Sequence, residues 1–101
     1  MVDVKVQYFR GCPNSEEMIR REKEAIKDLP EVVYSEELIE TEELAREVGF
    51  RGSPTLLING KDFEGLPMPP IASLSCRVYL KGLPRIDEIR NRIIESINSE
   101  K

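Results

Sequence analysis

Cys12 lies in the stretch Arg10-Gly11-Cys12-Pro13-Asn14-Ser15, between an alternating apolar run and a charged segment with helical spacing. This pattern predicts a strand, a tight turn and a helix, with Cys12 close to the helix N-terminus. The free N–H groups and the positive end of the helix dipole stabilise an anion there, which favours the thiolate form of a cysteine. Pro13 suits the first helical turn, where its missing N–H costs nothing. The predicted chemistry at Cys12 is therefore that of a nucleophilic thiolate.

Ser15 occupies the position where a dithiol C-x-x-C site carries its second cysteine. Its hydroxyl could donate a hydrogen bond to the Cys12 sulfur, so the turn is predicted to act with a single thiol, as C-x-x-S. The other cysteine, Cys76, follows a proline-rich stretch. Two interpretations of Cys76 stay open: a packing residue, which is favoured, and a resolving thiol that the preceding loop brings over the Cys12 turn.

The overall composition narrows the classes of function. The chain has 101 residues and a net charge of −4, which fits one domain over residues 1–101 and argues against nucleic acid or an anionic membrane surface as a partner. The absence of histidine excludes Cys–His and Ser–His catalysis and imidazole zinc sites. Two cysteines, with no apolar run of membrane-spanning or signal-peptide type, predict a cytoplasmic protein with reduced thiols.

Hydrophobic periodicity predicts seven elements in the order β-α-β-α-β-β-α. The ranges are a strand at 2–9, a helix at 14–29 with Asn14 as N-cap and Pro30 after it, a strand at 32–34, a helix between Thr41 and Gly49, a strand at 55–58, a hairpin partner at 61–64 and a helix at 85–97. Residues 65–75 contain three prolines and are predicted to be irregular, whereas 76–80 stays ambiguous. A right-handed crossover and a terminal hairpin together predict an α/β protein with a four-stranded mixed sheet flanked by helices.

Two motifs then resemble the thioredoxin and glutaredoxin superfamily: Cys12-Pro13-Asn14-Ser15 after the first strand, and Gly52-Ser53-Pro54-Thr55-Leu56-Leu57-Ile58-Asn59-Gly60-Lys61 through the hairpin. The resemblance implies a thioredoxin-like fold with a cis peptide bond at Pro54 beside the active cysteine. It also implies that the Ser53 backbone pairs with a bound peptide or thiol, with Arg10, Gly11 and Pro13 bordering the same substrate site. The tail, Ser75-Cys76-Arg77-Val78-Tyr79 followed by Gly82-Leu83-Pro84, resembles the tail of a group of small microbial thioredoxin-like proteins.

The chain departs from the superfamily pattern at several positions. It has no tryptophan before Cys12 and no second cysteine at position 15, both of which thioredoxins carry. Arg10 can replace the charge of the lysine that precedes the cysteine in glutaredoxins. No paired glycines precede the last helix, where glutaredoxins help to hold glutathione.

The resemblance implies a thiol–disulfide oxidoreductase that forms a mixed disulfide at Cys12, with Ser53 and Pro54 positioning a protein or small-molecule thiol such as glutathione. Release of the partner would come from an external thiol or from Cys76. The alternative is a non-catalytic binding module. It would carry an iron–sulfur cluster between two chains, bind a soft metal ion through Cys12 and Cys76, or serve as a protein-interaction domain.

Overall fold

The computed structural model describes residues 1–100, which form an α/β protein with four strands and three helices. The elements follow the predicted order: β1 at Val2–Tyr8, α1 at Ser15–Ile26, β2 at Val32–Leu38, α2 at Glu42–Val48, β3 at Thr55–Ile58, β4 at Lys61–Asp62 and α3 at Ile86–Ser99.

The four strands form one mixed sheet in the order β2-β1-β3-β4. Strands β1 and β2 are parallel, from the pair Val2 and Val32 to the pair Tyr8 and Leu38. Strand β3 runs antiparallel to β1, and the short β4 folds back on β3 through the predicted Asn59-Gly60 turn. The four-stranded mixed sheet predicted from the sequence is therefore present.

The main core lies on the face of β1 that carries its valines. Val2, Val4 and Val6 are fully buried and pack with residues of both α1 and α3, including Met18 and Ile89. Both helices contact β1, and they also contact each other. Because both helices cover the same face, the opposite face of β1 keeps polar residues, which explains why an interior strand alternates in sequence.

Helix α2 belongs to a second, smaller cluster that contains Ile39, Ala45, Phe50 and Ala72. Its ends follow from local chemistry. Thr41 is the N-cap: its hydroxyl accepts a hydrogen bond at 3.0 Å from the N–H of Leu44, the third residue of the helix. Gly49 ends the helix with a φ of 65°, in the left-handed region.

Several boundaries differ from the sequence prediction. Strand β2 extends to Leu38 instead of ending at residue 34, since its whole length pairs with β1. Helix α1 ends at Ile26 instead of at residue 29. Asn14 is its N-cap, as predicted, but the Asn14 side chain makes no capping hydrogen bond. The ambiguous stretch 76–80 forms no strand: it contributes an isolated bridge between Cys76 and Ser53 and enters a turn at residue 80.

The longest helix, α3, has fourteen residues. Across residues 1–100 no helix is long and apolar enough to span a bilayer.

Candidate functional site

Cys12 lies in the turn that joins β1 to α1. Gly11, with a φ of 101°, lets the chain reverse there, and the Ser15 N–H donates to the Cys12 carbonyl at 3.3 Å. Helix α1 begins at Ser15 with Asn14 as N-cap, so Pro13 precedes the helix and does not lie in its first turn as predicted. Cys12 itself is only 6% exposed. The turn thus places a nearly buried cysteine just ahead of a helix N-terminus.

Cys12 and Cys76 form a disulfide, with sulfur atoms 2.13 Å apart and Cα atoms 5.7 Å apart. Neither cysteine of the chain is free. The structure therefore differs from the sequence expectation of two reduced thiols and from the favoured packing role for Cys76. The pairing joins positions 64 residues apart, which explains why spacing alone could not reveal it.

Ser53 connects the Cys12 turn to the segment that carries Cys76. Its N–H donates to the Ser75 carbonyl at 2.8 Å, and its carbonyl accepts from the Arg77 N–H at 2.9 Å. These two bonds form the bridge to Cys76, and the peptide bond from Ser53 to Pro54 is cis. The backbone groups that the resemblance assigned to a bound partner are thus occupied by the chain's own residues.

The side chains of Ser15 and Ser53 bond to each other. Their hydroxyl oxygens are 2.9 Å apart, and both residues are buried. The Ser53 hydroxyl also accepts from the Phe9 N–H at 3.0 Å. Ser15 therefore ties α1 to the loop before β3, whereas the sequence had suggested a bond from its hydroxyl to the Cys12 sulfur.

Arg77, directly after Cys76, is held by a buried ion pair. Its guanidinium donates to both carboxylate oxygens of Asp62, at 2.6 and 3.0 Å, and to Glu64 at 3.2 Å. Burial alone would raise the pKa of the Asp62 carboxyl, but Arg77 and the backbone N–H groups of Leu66 and Glu64 outweigh burial, so this pKa lies below its usual value. Arg77 also lies over the Tyr79 ring, 5.0 Å from its centroid.

Two further contacts lie between the segment that carries Cys76 and the loop before β3. The Tyr79 hydroxyl donates to the Pro54 carbonyl at 2.5 Å, and burial raises the pKa of this tyrosine. Gly52 has a φ of 104°, and a Cβ added there would lie 2.9 Å from the Arg77 Cβ. Only glycine fits this close approach without displacing the segment.

A cavity of about 590 Å³ opens beside the turn, lined by Tyr8, Phe9, Arg10, Gly11, Cys12, Pro13, Ser15, Glu16 and Ile19. Arg10, Gly11 and Pro13, which the sequence assigned to substrate binding, are exposed around it. Ser53 and Pro54 do not border this cavity, and Ser53 pairs with Cys76 instead.

Within residues 1–100, no group of three or more histidine, cysteine, aspartate or glutamate side chains is arranged to hold a metal ion. The two cysteine sulfurs are bonded to each other. Reduction would leave two adjacent thiols.

The structure brings together Cys12, Ser15, Ser53, Pro54 and Cys76; the sequence had named all five as candidates, with Cys76 as the less favoured interpretation of that residue. It adds residues that sequence reasoning missed: Gly52, Asp62, Arg77 and Tyr79. Gly52, directly before the Ser-Pro pair, was a usable signal of close backbone approach. Asp62 and Arg77 carried no such signal, because charged residues are mostly exposed and only the tertiary structure buries this pair.

A scan against protein-family models finds no match to this chain, and a search of curated proteins finds no relative. The class that fold and site define is an α/β protein with a disulfide between a strand-to-helix turn and an extended segment beside a cis-proline.

Proposed function

We propose that this chain is a thioredoxin-like thiol–disulfide oxidoreductase whose redox pair is Cys12 and Cys76. The observation that carries the proposal is the disulfide between the turn before α1 and the segment hydrogen-bonded to Ser53. A disulfide between distant segments, with one of its cysteines, Cys76, exposed to solvent, suits a bond that opens and closes. The order of elements and the cis bond at Pro54 support membership of the thioredoxin-like class.

This proposal extends the single-thiol hypothesis. Ser15 leaves the C-x-x-S turn without a second sulfur, and Cys76 supplies one from another part of the chain. Because the backbone of Ser53 is already paired with Ser75 and Arg77, a peptide that docks on Ser53 must first displace that segment. Partners are proteins or small molecules that carry a thiol or disulfide, and glutathione is the small-molecule thiol that we propose to test.

Reduction of the Cys12–Cys76 disulfide consumes two external thiols. One thiolate attacks a sulfur of the Cys12–Cys76 disulfide, forming a mixed disulfide and releasing the other cysteine as a thiolate. A second thiolate attacks the partner sulfur of the mixed disulfide, which releases the remaining cysteine and the oxidised partner. Two electrons pass from the two thiols to the protein, and the reverse sequence oxidises a dithiol of the protein with an external disulfide.

The test is catalysed reduction of bis(2-hydroxyethyl) disulfide with glutathione as electron donor. We expect the wild-type protein to exceed the uncatalysed rate, and we expect Cys12→Ser and Cys76→Ser each to lower the catalysed rate by about tenfold or more. Ser73→Ala, at an exposed position of the same segment, is the matched control and keeps the wild-type rate. Absence of any rate above background with several thiol donors contradicts the proposal.

One observation favours a second candidate, a soft-metal binding module. The Cα atoms of Cys12 and Cys76 are 5.7 Å apart, so the reduced thiols face one site that a two-coordinate thiophilic ion such as Cu(I) would fit. Stoichiometric Cu(I) binding by the reduced protein, lost in either Cys→Ser variant, would support this function. An iron–sulfur cluster shared by two chains is tested separately by anaerobic reconstitution and visible absorption.

A further inference from the structure

The two halves of the disulfide differ in access to solvent. Cys12 is 6% exposed, although it borders the cavity beside the turn. Cys76 is exposed, and Ser75 and Val78 of the same segment are exposed as well, whereas the Arg77 side chain is buried. Of the two residues, Cys76 is therefore the more open to a thiolate that approaches from solvent. The choice of sulfur matters because it decides which cysteine carries the partner.

We propose that external thiols attack the sulfur of Cys76, so that the mixed disulfide forms on Cys76 and Cys12 leaves as the thiolate. This assignment rests on the proposed function and reverses the roles expected from the sequence, in which Cys12 carries the partner. In the opposite direction, the Cys12 thiolate attacks the Cys76 sulfur of the mixed disulfide and expels the partner thiolate. Cys76 is then the exchanging cysteine, and Cys12 is the resolving one.

The leaving group supports the same assignment. Displacement at a disulfide is faster when the departing thiolate is better stabilised. Cys12 lies just before the twelve-residue helix α1, and its carbonyl already accepts the Ser15 N–H. The positive end of that helix favours negative charge on the departing Cys12 sulfur. Cys76 lies in an extended segment with no helix end of its own, so its release as a thiolate is less favoured.

The contacts around Cys76 keep the mixed disulfide beside Cys12 after the first bond breaks. Ser53 still pairs with Ser75 and Arg77 on either side of Cys76, and Asp62 still holds the Arg77 guanidinium. None of these contacts involves the sulfur atoms. The Cys76 sulfur, with its partner attached, therefore stays within reach of the Cys12 thiolate, which gives this resolving step a high effective concentration.

Sulfite provides a direct test on the wild-type oxidised protein. It attacks one sulfur of a disulfide, remains there as an S-sulfonate and releases the other sulfur as a thiolate, which iodoacetamide then alkylates with loss of iodide. Trypsin separates the two cysteines into peptides 11–20 and 62–77, and mass spectrometry locates each group. We expect S-sulfonate on 62–77 and carbamidomethyl on 11–20, in an excess of about ten to one or more over the reverse pattern.

The same reaction in concentrated guanidinium chloride is the matched control. Unfolding equalises access and removes the helix, so the two patterns should approach about one to one. A native pattern with S-sulfonate mainly on 11–20, a native ratio near that of the unfolded control, or a native disulfide that sulfite does not cleave overturns the assignment. The proposed function is tested separately: it fails if the protein does not catalyse disulfide exchange, and this result does not depend on which sulfur sulfite attacks.

Discussion

Arg77 and Asp62 form a two-point ion pair, with N–O distances of 2.6 and 3.0 Å, and their side chains are only 6% and 2% exposed. The pair joins the residue after Cys76 to the last residue of β4. A buried ion pair is costly to form, but it is more costly to break on one side, since the remaining charge stays buried without a partner. The position of Cys76 over the Cys12 turn therefore depends on a carboxylate fourteen positions earlier in the chain.

Asp62→Asn should destabilise the reduced protein by about 3–5 kcal/mol, because it leaves the Arg77 guanidinium buried and uncompensated. Urea unfolding in the presence of a reductant measures this change. Glu64→Gln is the matched control, since Glu64 bonds the same guanidinium but is 45% exposed; we expect a cost below about 1 kcal/mol. Equal costs for the two variants would show that the burial of the Asp62 pair has no energetic consequence.

Reduction of the disulfide should lower the free energy of unfolding by about 4 kcal/mol, because the bond closes a loop with a sequence separation of 64 residues and restricts the unfolded chain. The measurement is urea unfolding with and without a phosphine reductant. The double variant Cys12→Ser/Cys76→Ser should unfold at the same urea concentration under both conditions. If the urea midpoint of the wild-type protein is the same with and without the reductant, the disulfide contributes nothing to stability.

Gly52→Ala should weaken the docking of the Cys76 segment, because the new Cβ would meet the Arg77 Cβ at 2.9 Å. Gly11→Ala is a control for backbone strain, since Gly11 has a similar φ of 101° and its Cβ would meet nothing within 4 Å. We expect Gly52→Ala to cost roughly 1–3 kcal/mol more than Gly11→Ala, from overpacking. Unfolding of the reduced proteins gives the difference, and equal costs would rule out the contact as its source.

Glu22 should make the protein less stable as pH rises. Its carboxylate is fully buried in α1, both oxygens lack a hydrogen-bond partner within residues 1–100, and burial raises the pKa of this group to about 8. The folded state therefore keeps a proton that the unfolded chain releases above its ordinary value near 4.5. Stability falls between these two values, at up to about 1.4 kcal/mol per pH unit.

The variant Glu22→Gln isolates this effect, because it keeps the size of the side chain and removes its titration. The stability of the variant minus that of the wild type should increase from pH 5 to pH 8 and then level off. Glu24→Gln, at an exposed position of the same helix, is the control and should leave the wild-type slope unchanged. A constant difference between Glu22→Gln and wild type across this range would contradict a neutral buried Glu22.

Local patterns in the sequence were sufficient for the order of elements and for several of their ends. Helix α2 begins after Thr41 and ends at Gly49 because a hydroxyl cap and a left-handed glycine act within a few residues. Strand β2 was predicted too short because its second half, which contains Glu36 and Glu37, is stabilised by pairing with β1 and by the Gln7 amide bonded to Glu37 at 2.9 Å. Such partners lie far away in sequence, so propensity cannot reveal them.

The sequence by itself determined an α/β chain with Cys12 in a strand-to-helix turn and the Ser53-Pro54 pair before a buried strand, because turns, caps and alternation depend on neighbouring residues. Only the tertiary structure decided that Cys76 reaches Cys12, that the Ser53 backbone is occupied by the chain's own segment, and that Arg77 is buried against Asp62. These relationships join residues many positions apart. Their free energy depends on burial and close approach, which exist only once the chain has folded.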